Sequence, residues 1–184
     1  MHKIRKKMAI LAVLLIAPLL LGSRHSGPAY DRHARESLDA FAQEFAKKHQ
    51  LKFLNTGVGS LADAKEGIWI INFVSNQTLT IEEARLFAAD LTYQLLYKVY
   101  HDRLFINYCK ISAPFHKSAD MREEYVGFRL AFWDQNTNRP LYPCVAQIRL
   151  ADGNLYYHYA NPNTQALQEP LVESLAALEL PLYR

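Results

Sequence analysis

Asp152-Gly153 constrains the fold more than any other feature of this chain. A two-residue connection between strands needs positive backbone φ, which glycine adopts freely and aspartate at modest cost. The sequence alternates on both sides, so a turn at these residues predicts a definite register. Ala151 then pairs with Asn154, Arg149 with Tyr156, and Gln147 with His158. On the other face Leu150 meets Leu155, Ile148 meets Tyr157, and Ala146 meets Tyr159. The apolar face reads as core and the polar face as solvated. A slip of one residue would invert that assignment, so the register is well specified.

The stretch before the hairpin alternates too. Val126, Phe128, Leu130 and Phe132 face one way, and Arg129 and Trp133 the other. Asp134 to Pro140 reads as a turn and Tyr142 to Ala151 as the next strand, which makes a three-strand meander. Upstream, Gly67 to Ser75 is rich in β-branched and aromatic residues and reads as a strand. Leu51 to Asn55 suits a short strand, and Thr56 to Lys65 a loop.

Helical spacing marks three other segments. Thr80-Ile81-Glu82-Glu83 is a capping box, with Leu79 placed as a hydrophobic staple. The helix it opens runs to about His101. Ala84, Ala88, Leu91, Leu95 and Val99 form one apolar stripe, and Leu86, Tyr93, Tyr97 and Tyr100 a second. Two stripes predict a central helix covered on much of its circumference. An earlier helix, capped by Asp31 and ending near His49, aligns Ala34, Leu38, Phe41 and Phe45. Leu104 to Ile111 suits a strand, and a last helix from Pro170 would carry Leu171, Leu175 and Leu178. Strands do not alternate regularly with helices. The expected class is therefore α+β: an antiparallel sheet ending in the meander, packed by a long central helix and flanking helices.

The N-terminus is of another kind. Lys3, Arg5, Lys6 and Lys7 precede an uncharged apolar run from Met8 to Leu21, broken only by Pro18. About 14 apolar residues is short for a spanning helix, which needs about 20. A basic head before a short apolar core is the pattern of a secretory signal, or of an N-terminal membrane anchor if uncleaved. The expected organisation is targeting segment 1–22, linker 23–30 and one α+β domain over 31–184. The domain is exported, periplasmic or secreted, or held on the non-cytoplasmic side of a membrane. The net charge of +3 falls to −1 once the four basic residues of the head are set aside. The domain carries no electrostatic footprint for a phosphate backbone, so nucleic acid is not an expected partner.

The two cysteines are Cys109 and Cys144. In an exported chain they could close a disulfide loop of roughly 35 residues, a gain of about 3 kcal/mol; the other reading is two separate buried thiols. No Cys/His spacing suggests zinc, and no phosphate-binding, hydrolase-elbow or dinucleotide motif occurs. Cys109 with His101, His116 or His158 is the one imaginable nucleophile–base set, and nothing in the spacing brings them together. No catalytic residue, metal or cofactor is assigned.

Two surfaces remain as binding candidates. Tyr93, Tyr97 and Tyr100 share one helix face, and tyrosine suits interfaces because its apolar body carries a polar tip. The polar sheet face gathers Arg129, Gln147, Arg149, Tyr156 and His158, groups able to receive an anion, a glycan or a protein. The plain alternatives are a core edge and an ordinary solvated face. The functional expectation is a non-catalytic binding or assembly module for a protein or small ligand. Its alternative is a small exported enzyme with a pocket beside the sheet.

Overall fold

The computed structural model describes residues 29–59, 68–111, 126–134, 136–137, 139–140 and 144–178. The expected targeting segment and most of the linker lie outside these residues. Among the described residues no helix is long and apolar enough to cross a membrane.

Helix α1 spans Ala29–His49, starting two residues before the expected Asp31 cap. Ala34, Leu38 and Phe45 are buried along one face and Phe41 partly so, as the spacing predicts. The helix ends with Gln50 at φ 57°, and the Leu51 N–H bonds the Ala46 carbonyl at 2.8 Å. That is the left-handed cap usually given to glycine. Strand β1, Lys52–Gly59, continues into the first four residues of the segment expected as a loop. It pairs antiparallel with β2, Ile68–Ser75.

Helix α2, Ile81–His101, has the predicted capping box, with the Glu83 N–H on Thr80 Oγ1 and the Thr80 N–H on Glu83 Oε2. Ala84, Ala88, Leu91, Leu95 and Val99 are all buried. The second stripe is covered only in part, with Tyr93 and Tyr100 half-buried. Leu86 is 74% exposed and Tyr97 49%, because α2 lies on the sheet with one side in solvent. The segment expected as a strand from Leu104 is helix α3, Arg103–Ile111. Asp102 explains the difference: its Oδ1 accepts the Phe105 N–H at 3.0 Å, an N-cap that starts a new helix directly after α2.

The remaining strands are β3 (Val126–Asp134), the two-residue β4 (Arg139–Pro140), β5 (Val145–Ala151), β6 (Asn154–Tyr159) and β7 (Leu171–Ser174). The sheet runs β1-β2-β3-β5-β6-β7, with β4 beside the end of β3. It is mixed rather than antiparallel, because β2 and β3 pair in parallel. Parallel neighbours need a long crossover, and the chain carrying α2 and α3 supplies it. Asp152 and Gly153 adopt φ of 47° and 69°, and the hairpin has the predicted pairs from Ala151–Asn154 to Gln147–His158. A bulge then sets Val145, not Ala146, opposite Tyr159.

The expected C-terminal helix is instead a strand followed by a single 3₁₀ turn, Leu175–Leu178. Leu171–Ser174 satisfies the free edge of β6, and that pairing outweighs a helical spacing of three leucines. Arg85 Nε donates to Glu173 Oε1 at 2.6 Å and ties α2 to this edge strand.

The main core lies between the helices and one sheet face. Trp69, Ile71, Phe73, Phe128, Leu130, Phe132, Ile148, Leu150 and Tyr157 point into it. The opposite face is not simply solvated, contrary to the sequence reading. Gln147 is 9% exposed, Arg149 6% and His158 8%. Ile68, Ile70 and Ala151 form a second small apolar cluster there, with Tyr156 against it.

Candidate functional sites on the two sides of the sheet

A cleft of about 870 Å³ opens between α1, the C-terminal half of α2 and the start of α3. Helical spacing brings Tyr93 and Tyr97 to its wall, and Tyr97 stacks on His101 with ring centroids 4.0 Å apart. The His101 ring is fixed by an Nδ1 hydrogen bond to the Tyr97 carbonyl at 2.8 Å. Phe41, Phe45 and Leu104 add apolar wall, and Lys48, Lys98 and Arg103 bring positive charge. Tyr100, the third member of the expected tyrosine face, packs against the main core instead.

The floor of this cleft holds a cluster that sequence reasoning missed. His33 Nε2 lies 3.1 Å from both carboxylate oxygens of Asp102, and Ser37 Oγ donates to Asp102 Oδ2 at 2.7 Å. Burial pushes the Asp102 carboxyl up, but the Phe105 N–H, Ser37 and His33 together hold it below its usual range. The arrangement is not that of an activated serine. Ser37 donates its hydrogen bond to the Asp102 carboxylate, and the His33 imidazole is hydrogen-bonded to that carboxylate rather than to the hydroxyl. Asp102 joins α1 to the α2–α3 corner. Its N-cap role was readable from an aspartate directly before an amphipathic nine-residue stretch. His33 and Ser37, distant in sequence, gave no signal.

The other face carries a transverse row of polar side chains. Strand register sets Asn55 beside Asn72, Asn72 beside Arg129, Arg129 beside Arg149 and Arg149 beside Tyr156. At about 4.8 Å per strand the row spans roughly 19 Å. Asn72 Nδ2 donates to Asn55 Oδ1 at 2.8 Å, and the Arg149 guanidinium lies 5.0 Å from the centre of the Tyr156 ring. Three sequence-predicted members, Gln147, Arg149 and His158, are thus buried at the β5–β6 end. There His158 Nδ1 donates to the Gln168 carbonyl at 3.2 Å. Over β1–β3 the same face opens into a cleft of about 990 Å³ lined by Asn55, Asn72, Arg129, Ala131 and Trp133.

Cys144 is half-buried with a free thiol, while the Cys109 side chain and His116 lie outside the described residues. Among the described residues no three His, Cys, Asp or Glu side chains converge as metal ligands. No protein-family model, curated protein or solved structure matches the chain. The chain forms an α+β domain with a mixed sheet, helices over one face and a cleft on each side.

Proposed function

We propose that the chain is an exported or membrane-anchored, non-catalytic binding module that receives an apolar or aromatic ligand in the helix-side cleft. The observation that carries this reading is the cleft's composition. Aromatic wall is presented by the exposed Tyr97 and the half-buried Tyr93, while the carboxylate–imidazole–hydroxyl cluster at the floor is consumed in capping and bracing. The basic head and short apolar core at the N-terminus support the placement outside the cytoplasm.

The test uses the full chain and the fluorescent probe 1-anilinonaphthalene-8-sulfonate. Saturable binding is expected, weakened at least tenfold by Tyr97→Ala with the melting temperature unchanged. Probe binding that ignores Tyr97 would overturn the assignment. The alternative of a small exported enzyme gains one point from the open pocket beside the sheet. Its described lining has a single carboxylate, Asp134, whose Oδ1 already accepts the N–H groups of Asn136 and Thr137. Turnover abolished by Asp134→Asn would establish that alternative.

A further inference from the structure

Arg129 is the least settled charge on the sheet. Its Nε is buried without a hydrogen-bond acceptor. Among the described residues no carboxylate lies within ion-pair distance of it. Its direct cross-strand neighbour is another cation, Arg149, and like charges opposite one another are unfavourable. Burial first, and Arg149 second, push the Arg129 guanidinium below its usual range. A partly buried guanidinium with no counter-charge among the described residues is costly, and an arriving anion would relieve that cost. Arg149 already lies over the Tyr156 ring and is closed off, whereas Arg129 stands at the inner edge of the open cleft.

The rest of the cleft says what kind of anion fits. Trp133 lies four residues along the same strand and face, 37% exposed, with only the small Ala131 between them. An open indole face suits the apolar face of a ring. The Asn55 and Asn72 amides offer both donors and acceptors, which match hydroxyl groups better than further negative charge. Among the described lining residues Lys52 and Arg129 oppose one acid, Asp134, a balance suited to a single negative charge. We propose that the sheet-side cleft binds an acidic saccharide, its carboxylate paired with Arg129, its ring on Trp133 and its hydroxyls on the Asn55–Asn72 pair. This site is separate from the helix-side cleft and does not depend on how that cleft is used.

The experiment is calorimetric titration of the full chain with glucuronate, glucose and inorganic phosphate. Glucuronate binding is expected, with glucose at least tenfold weaker and phosphate unable to displace glucuronate at equal concentration. Arg129→Lys keeps the charge but loses the fork, and should weaken glucuronate at least tenfold; so should Trp133→Ala. Tyr97→Ala should leave it unchanged. Absence of glucuronate binding to the wild-type chain would overturn the proposal. Equal binding of glucose, or displacement by phosphate, would do the same, and neither depends on any variant folding.

Discussion

The two faces of the sheet alternate residue by residue along the same strands, yet they are finished differently. Under α1 and α2, Phe128, Leu130, Ile148, Leu150 and Tyr157 meet apolar helix faces and are fully buried. On the reverse, Arg129, Gln147, Arg149 and His158 lie between those positions, partly or wholly covered as well. The first face gains from burial of apolar area, and apart from the Tyr157 hydroxyl and the Trp69 indole N–H its side chains have no directional needs. The second buries groups that must each find a partner, so its burial is tolerated only where hydrogen bonds or stacking exist. The helix side therefore holds the fold together. The reverse side holds the buried Arg129 Nε that lacks an acceptor.

The largest expected effect sharpens that contrast within one dipeptide. Tyr157→Ala empties a fully buried site and should cost about 4 kcal/mol. Tyr156→Ala, one residue away on the reverse face and half-buried, should cost about 1 kcal/mol. Chemical denaturation of both variants measures the difference, and equal losses would mean that the two faces share the work of folding.

Gly127 and Gly57 probe the reverse face next. A Cβ at Gly127 would run into the Leu150 carbonyl oxygen, a backbone atom of the neighbouring strand, while one at Gly57 would meet nothing within 4 Å. Gly127→Ala should destabilise by about 2 kcal/mol and Gly57→Ala by less than about 0.5 kcal/mol. If both are silent in thermal melts, β3 and β5 are not held as closely as described.

On the helix side, Asp102→Ala removes an N-cap and leaves Ser37 and His33 without their shared acceptor. A loss of about 1.5 kcal/mol is expected, with no change in the ligand affinities of the reverse face. Unaltered unfolding midpoints would show that the corner is braced by apolar contacts alone.

The smallest effect is a pH dependence. His49 stacks on Phe45 at 4.1 Å, and burial, then Lys48, hold its imidazole below the usual 6.5, against a partial pull upward from Asp90. A group depressed in the folded state contributes stability above its unfolded pKa and loses it as pH falls through the folded value. The wild-type chain should therefore lose more stability between pH 7 and pH 5 than His49→Phe, which keeps the stack. Identical slopes would remove His49 from the acid response.

Much of the architecture was legible because it is locally encoded. Thr80-Ile81-Glu82-Glu83 carries its own hydrogen bonds, Asp152-Gly153 its own dihedrals, and the Ala84-to-Val99 stripe its own periodicity. Misreadings fell where two local signals compete. Leu104–Ile111 is apolar and aromatic enough for a strand until Asp102 caps it as a helix, and Leu171–Ser174 follows a helical spacing until the β6 edge recruits it. The site was legible only in part. Tyr93 and Tyr97 share a helix face by arithmetic, and Arg129 and Arg149 share a sheet face by alternation. Neither arithmetic nor alternation reports which of them is covered.

By itself the sequence determined the start of α2, the hairpin register from Ala151–Asn154 to Gln147–His158 and which residues of β3 and β6 point to which side, because caps, positive φ and periodicity act within a few residues of chain. Only the tertiary structure decided that β2 and β3 run in parallel, that His33 and Ser37 meet Asp102, and that Arg129 is left beside Arg149 at the mouth of an open cleft. Those contacts join residues tens of positions apart. Their energies appear only once the sheet has closed and water has been excluded.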